Sequence, residues 1–144
     1  MGAKLLVLDA NILIRAVLGK RVRALLVRYG GTVQFFAPDY AFEEAREHLP
    51  EILPKRNIPI EEGLAVLNSL SNIVRVVGIE AYSAYRQQAQ RRLIGRDEQD
   101  WPILAAAMFL DCPIWTEDTD FFGAGVATWT SDRIELFFQS ASTS

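Results

Sequence analysis

Cysteine and histidine are almost missing from this chain: its 144 residues hold one of each, Cys112 and His48. A lone cysteine excludes an internal disulfide and fits a reducing compartment, so the expected location is the cytoplasm. So few thiol and imidazole donors also make a zinc site a poor expectation. Long apolar runs are lacking as well. No window approaches the roughly 18 consecutive apolar residues that span a bilayer, and no membrane contact is expected. The apolar opening MGAKLLVLDANILIRAVLG is interrupted by Asp9 and Arg15 and offers no small-residue cleavage site after a clean apolar core. It reads as a strand and then a helix, not as a signal peptide. An excess of positive charge is missing too. Fifteen lysines and arginines stand against eighteen acids, a formal net charge of -3, so the chain has no global basic signature for nucleic acid.

What remains is an ordinary globular composition, 50% hydrophobic and 23% charged, in a length typical of one domain. Such a chain buries roughly 68–70% of its unfolded surface, enough for a real core. Short apolar runs alternate with helical spacing along it. KLLVLD, TVQFFA, NIVRVVG, CPIWT and a shorter VATWT read as strands. Between them lie a helical stretch over 11–29 broken near Gly19, a helix opened by Pro38 and Asp39 and ended or kinked by Pro50, and a helix entered through Pro59. A polar helix over 80–93 and an apolar helix over 98–111 follow, and SDRIELFF reads as a last helix or strand. Strands separated by helices predict βαβ units, hence an α/β fold with a mostly parallel sheet of four to five strands and helices on both faces. Residues 1–138 are expected to form one domain and 139–144 a polar tail.

In open parallel sheets ligands bind beyond the carboxyl ends of the strands, and acids fall there repeatedly. Asp9 ends the first strand, Asp39 follows the second, and TEDTDFF over 116–122 puts Glu117, Asp118 and Asp120 directly after the fourth. Asp97, Glu98 and Asp100 open the apolar helix before that strand, and Glu43, Glu44 and Glu47 lie on the helix after the second. Taken singly, each has a structural use: a helix cap at Asp9 or Asp97, Asx-turns at Asp118 and Asp120, a solvated face for the glutamates. Together they are harder to explain that way, because residues 97–120 hold seven acids and no basic residue. Like charges gathered at one site take up protons or hold cations. A set of oxygen donors suits Mg²⁺ or Mn²⁺, one ion or two, and such a site suits phosphodiester chemistry.

Positive charge is segregated in turn. Residues 10–38 contain no acid and hold Arg15, Lys20, Arg21, Arg23 and Arg28; residues 81–96 contain none and hold Arg86, Arg91, Arg92 and Arg96. Two basic helices beside an acidic pocket would suit a phosphate backbone, and Arg15, Lys20, Arg86, Arg91 and Arg92 are the candidate substrate contacts. Two solvated helix faces, or a docking face for an acidic partner protein, fit the same pattern.

These stretches resemble the PIN domain family. LLVLDANILIRAVLG is similar to the family's opening strand, acid and helix, with an Asn two residues after the acid. FAPDYAFEEAREHL resembles its second block, in which a helix carries one key glutamate. DWPILAAAMFLDCPIWTEDTDF resembles the third and fourth, an acid opening an alanine-rich helix and a strand ending in Thr-x-Asp-x-Asp-Phe. Four blocks in order over residues 4–122 carry the likeness. It implies catalytic carboxylates at Asp9, Glu44, Asp100 and Asp118, with Glu43 the alternative to Glu44. It also implies Asp120 as an auxiliary acid, metal ligation by Asp9, Asp100, Asp118 and Asp120, and polar helpers at Asn11 and Thr116. Asp97 has no clear counterpart, and a helix cap or an outer acid both fit it.

The resemblance is greatest to small single-domain toxins of the VapC type. It implies a Mg²⁺- or Mn²⁺-dependent endoribonuclease that cuts RNA with metal-activated water, is silenced by an antitoxin protein, and forms a homodimer. On this reading Asp9→Asn or Asp118→Asn abolishes cleavage, leaves the fold intact and relieves repulsion in the metal-free protein. A non-catalytic PIN-like scaffold that binds RNA or protein is the main alternative, although all four acid positions are filled. A DNA or flap nuclease would want insertions for which this chain has little room. A response-regulator receiver would want a lysine after its last strand, and none follows residue 56; a haloacid-dehalogenase-type phosphatase would want Asp-x-Asp where this chain has DAN. Phe121 and Phe122 read as core anchors of the acidic loop.

Overall fold

The computed structural model describes residues 4–140. The first strand, β1 (Lys4–Leu8), is buried over its last three residues and lies at the centre of a five-stranded sheet. β2 (Val33–Pro38) and β3 (Val74–Val77) extend the sheet to one side, β4 (Ile114–Trp115) and β5 (Thr128–Trp129) to the other, in the order β3-β2-β1-β4-β5. Every pairing is parallel, with Val7 opposite both Phe36 and Ile114. The chain therefore moves outward from β1 to β3 and returns across β1 to β4. That reversal opens a crevice beyond the ends of β1 and β4, the place where such sheets bind ligands.

Helices cover both faces of the sheet. α1 (Ala10–Leu18) and α2 (Arg21–Tyr29) follow β1, separated at Gly19 as the sequence predicts. α3 (Asp39–Ile52) and α4 (Ile60–Leu70) pack with α1. α5 (Ile79–Tyr82) and α6 (Arg86–Arg92) pack with α7 (Trp101–Leu110), and α8 (Ile134–Gln139) closes the described chain. α7 is buried at every position from Trp101 to Ala107. Its alanines let the helix approach β1 and β2 closely, which explains a stretch that is apolar all round.

Three helix boundaries depart from the sequence reading. Pro50 does not end its helix, which continues to Ile52 and runs into a 3-10 turn at Leu53–Arg56. Proline there forfeits the one amide bond its N–H would make to the carbonyl four residues back, and only two residues of α3 lie beyond it. The polar helix over 80–93 is interrupted by a 3-10 turn at Ser83–Tyr85. That turn aligns Tyr82 and Tyr85, which pack against Trp101 and Phe109 on the α7 side; side chains three apart eclipse in 3-10 geometry. The helix expected over 98–111 begins as a 3-10 turn at Glu98–Asp100 and becomes α-helical at Trp101, with Pro102 in its first turn.

Trp115, Phe35, Phe121 and Tyr82 are the largest fully buried side chains. Phe35, Trp115 and Phe138 meet edge to face or tilted, with centroids 5.8–6.5 Å apart. Phe122, expected as a second core anchor, is 49% exposed, because the 3-10 turn at Thr119–Phe121 points only Phe121 inward. Of the polar tail expected over 139–144, Gln139 belongs to α8, and residues 141–144 lie outside the described residues. No described helix is long and apolar enough to cross a membrane.

Candidate active site

Asp9 occupies the junction between β1 and α1. Its backbone is extended, with φ -75° and ψ 161°, and its side chain caps the helix by accepting from the Ala10 amide at 2.7 Å. The second carboxylate oxygen accepts from Thr116 Oγ1 at 2.7 Å and from Asn11 Nδ2 at 3.0 Å. Thr116 directly follows β4, and its own amide donates to the Trp129 carbonyl of β5. Its hydroxyl oxygen also accepts from the Asp118 amide at 2.9 Å, and Asp118 Oδ1 in turn accepts from the Asp120 amide at 2.9 Å. Asn11 Oδ1 accepts from the Glu117 amide. A continuous hydrogen-bond chain thus runs from Asp9 through Asn11 and Thr116 to Glu117, Asp118 and Asp120.

Asp9 is 4% exposed. Burial pushes its pKa up from 3.8 to about 6, against the lowering effect of the Thr116 and Ala10 bonds, and the Asp118 and Glu44 charges push the same way. Asp100, between the 3-10 turn and α7, is raised to about 7 by burial first, then by Asp9, Asp97 and Glu44. Four segments therefore deliver carboxylates whose charges act on one another, at the crevice between β1 and β4. No described lysine or arginine answers them: the one ion pair among the described residues joins Arg28 to Glu135, elsewhere.

Of the two adjacent glutamates, Glu44 is half-buried and its charge bears on Asp9, Asp100 and Tyr40, whereas Glu43 is exposed and bears on Tyr82. The 100° step between neighbours on a helix separates them. Asp97 caps the 3-10 turn by accepting from the Gln99 amide at 3.1 Å, and its charge still reaches Asp100. Asp39 is structural: it accepts from the Tyr40 and Ile79 amides and from the Tyr82 hydroxyl, pinning the start of α3 to α5. Glu117 is also structural, accepting from the Ser131 amide at 2.7 Å and bracing the turn against the end of β5.

The cage expected from Asp9, Asp100, Asp118 and Asp120 is not closed. Among the described residues no three acidic, histidine or cysteine side chains stand together closely enough to hold a metal ion. One oxygen of Asp118 faces the Asp120 amide, one of Asp100 accepts from the Tyr40 hydroxyl, and both of Asp9 are engaged. Repulsion among carboxylates favours this spread arrangement. The donor chemistry nonetheless fits a hard divalent cation: carboxylates from four segments that no basic side chain pairs, with neither sulfur nor imidazole among them.

The basic residues divide into two groups. Arg92 donates to the Ala124 carbonyl at 3.2 Å, and Arg96 donates to the Asp120 and Phe122 carbonyls, so α6 and the residues after it strap the loop that follows the acidic turn. Gly125, with φ +92°, sits where a Cβ would meet Arg92 Nη1 at 2.7 Å. Arg21 and Arg23 bind backbone carbonyls at Ser131, Ala16 and Val17. Arg86 stacks over the Trp101 ring at 5.0 Å, immediately beside Asp100. Arg15, Lys20 and Arg91 are exposed. Of the five arginines and lysines expected to meet substrate, Arg92 also has a structural use, its guanidinium serving the loop.

Tyr40, which the sequence reading passed over, touches Asp100. Its position one helical turn before Glu44 is the signal that could have marked it.

A family model described as a PIN domain matches residues 7–139. No curated protein matches this sequence. Solved structures share the fold. PAE2754 from Pyrobaculum aerophilum superposes with a TM-score of 0.70 at 13% identity, covering 94% of this chain and 89% of that one. VapBC2 from Rickettsia felis, bound to a DNA fragment from their promoter, gives 0.69 at 12% identity, covering 88% and 98%. A toxin–antitoxin complex from Klebsiella pneumoniae gives 0.64 at 20% identity, covering 90% and 98%.

Proposed function

We propose, from the premise that the chain belongs to the PIN domain family, that it is a Mg²⁺- or Mn²⁺-dependent endoribonuclease and the toxin of a VapBC-type pair. One observation carries the reading. Carboxylates from β1, α3, the start of α7 and the turn after β4 act on one another at the crevice of the sheet, and no basic side chain neutralises them. A single structural role does not account for acids delivered from so many segments, whereas a bound cation does.

In this reading Asp9, Asp100 and Asp118 hold the ion, with Asp120 as an auxiliary ligand, and Glu44 completes the catalytic set. The ion supplies Lewis acidity toward a phosphodiester oxygen and a water acidic enough to attack at neutral pH. The chain's own residues do the rest. Thr116 and Asn11 hold Asp9 in one orientation through its Oδ2, so that this carboxylate is positioned before any ligand arrives. Glu44, half-buried on α3 with its charge bearing on Asp9 and Asp100, is the carboxylate of the set left to take up a proton. Arg86, fixed over Trp101 beside Asp100, together with Arg15, Lys20 and Arg91, meets the RNA backbone. The neighbours described as VapBC2 and as a toxin–antitoxin complex support a partner antitoxin for this chain, and a homodimer acting in the cytoplasm completes the proposal.

The first experiment is a calorimetric Mn²⁺ titration of the wild type beside Asp118→Asn, followed by incubation of both with structured RNA in Mn²⁺. Saturable binding and RNA cleavage that the substitution abolishes are expected. Binding without cleavage by the wild type would favour the non-catalytic scaffold. Cleavage that persists in Asp118→Asn would remove that residue from the catalytic set.

A further inference from the structure

Tyr40 is half-buried at the second position of α3, and the chemistry set out above makes no use of it. Its hydroxyl donates to Asp100 Oδ1 at 3.2 Å. Among the described residues no other group donates a hydrogen bond to that carboxylate. Glu44, four residues further along the same helix face, is a second acid near the phenol and competes for its proton. The hydrogen-bond geometry favours Asp100, the acid that opens α7.

Both ends of this contact are anchored to a common cluster. On the α3 side, the Tyr40 amide donates to Asp39 Oδ1 at 2.8 Å, and Asp39 also accepts from the Ile79 amide at 3.1 Å and from the Tyr82 hydroxyl. On the α7 side, Trp101, the residue after Asp100, packs edge to face on the Tyr82 ring with centroids 5.6 Å apart. Tyr82 is 1% exposed and so cannot shift without disturbing the core. The start of α3 and the start of α7 are thereby fixed to one another through a buried ring, and the Tyr40 hydroxyl reaches Asp100 from a backbone that has little room to move. A phenol has one proton to donate, and the geometry directs it to Asp100 Oδ1.

We propose that Tyr40 is a positioning residue of the acidic site, holding Asp100 by Oδ1 so that Oδ2 is the oxygen offered to a divalent cation. The inference rests on the metal-dependent reading above and deepens it. Outer partners that orient a ligating carboxylate commonly change metal affinity by about 10–100-fold when removed. Without the hydroxyl, Asp100 is free to rotate, and part of the binding free energy goes into fixing it again.

The test compares three proteins by calorimetric Mn²⁺ titration: wild type, Tyr40→Phe and Tyr82→Phe. Tyr82→Phe is the control, because it removes a matching tyrosine–aspartate bond at the same helix start from an aspartate that plays no part in the site. Tyr40→Phe is expected to bind Mn²⁺ about tenfold more weakly or worse, while Tyr82→Phe keeps wild-type affinity and both lose thermal stability to a similar extent. Wild-type affinity in Tyr40→Phe would overturn the positioning role and leave the metal reading standing. An equal loss of affinity in both variants would assign the effect to a loosened helix start and would also overturn it. No Mn²⁺ binding by the wild type would overturn the inference together with its premise.

Discussion

Thr116 Oγ1 donates to Asp9 Oδ2 at 2.7 Å, across 107 positions of sequence. Both residues are buried, at 1% and 4% exposure. The same oxygen accepts from the Asp118 amide, so one hydroxyl joins the end of the first strand to the turn after the fourth. The parallel pairing of β1 with β4 brings the two residues together, since Leu8 lies opposite Trp115. Each is simply the next residue along its strand.

Thr116→Val keeps the shape of the side chain and removes its proton and both lone pairs. Asp9 loses a donor and the Asp118 amide loses its acceptor, inside a region where unsatisfied groups each cost about 1–3 kcal/mol. A stability loss of about 2–4 kcal/mol is expected from urea unfolding. Thr116→Ser should recover most of it, because the hydroxyl remains. A loss no larger in Thr116→Val than in Thr116→Ser would show that the hydrogen bonds carry no net stability.

Stability of the metal-free protein should fall as pH rises from about 4 to about 7. The folded pKa values of Asp9 and Asp100, about 6 and about 7, lie above the ordinary 3.8. In that window the folded state binds more protons than the unfolded one, which gives a negative slope of stability against pH. The contribution is present below about pH 4 and lost above the folded values. For Asp9 alone the upper bound is about 3 kcal/mol. Urea midpoints at pH 5 and pH 8, measured with a chelator present, check the sign. Saturating Mn²⁺ should flatten the profile by supplying the missing positive charge.

Neutralising single acids should separate repulsion from hydrogen bonding. Asp118 and Asp100 each accept through one oxygen, from the Asp120 amide and from Tyr40, and an asparagine keeps that acceptor. At pH 8 without metal, Asp118→Asn and Asp100→Asn should be up to about 1 kcal/mol more stable than wild type, because like charges are removed. Asp9→Asn should be about 1–3 kcal/mol less stable, which revises the expectation of relief at that position. Asp9 uses both oxygens, one for the Ala10 amide and one for Thr116 and Asn11; an asparagine must turn an NH₂ group toward one of them. Thermal unfolding of the three variants side by side would expose an error in either sign.

Much of this arrangement was legible in the sequence because apolar periodicity and acid placement report the same thing. KLLVLD and CPIWT read as strands, and the acid or threonine closing each one falls at the strand end by counting alone. The fold class followed from strands and helices in alternation. Pairwise geometry was not legible. Nothing local distinguishes Arg91 from Arg92, or marks Tyr40 as a partner of Asp100, sixty residues away. Helix boundaries at 83–85 and 98–100 were set by where Tyr82, Tyr85 and Trp101 pack, a tertiary demand that overrides local propensity. Phe122 was misplaced for the same reason, since TEDTDFF carries no signal that its turn buries one phenylalanine and exposes the next. Which carboxylate oxygens are taken by hydrogen bonds could not be read from composition, which counts carboxylates without their partners.

Arg91 and Arg92 are neighbours on α6, and they should respond to substitution in opposite ways. Arg92 donates to the Ala124 carbonyl and packs against Gly125, whose lack of a Cβ leaves room for that approach. Arg91 is exposed and makes no hydrogen bond among the described residues. Arg92→Ala should cost about 1 kcal/mol of stability through the lost charge-assisted bond and loosened packing. Its effect on RNA binding should be slight once the folded fraction is taken into account. Arg91→Ala should leave stability within about 0.5 kcal/mol. It should weaken binding to a bulk structured RNA and lower the steepness of the salt dependence by about one phosphate contact. Catalytically silent Asp118→Asn protein makes the binding measurement possible without cleavage, with each arginine change added to it. A salt slope that Arg92→Ala lowers and Arg91→Ala does not would place the RNA across the Arg92 strap and the acidic loop it holds, and would move the basic face of this protein by one helical step of 100°.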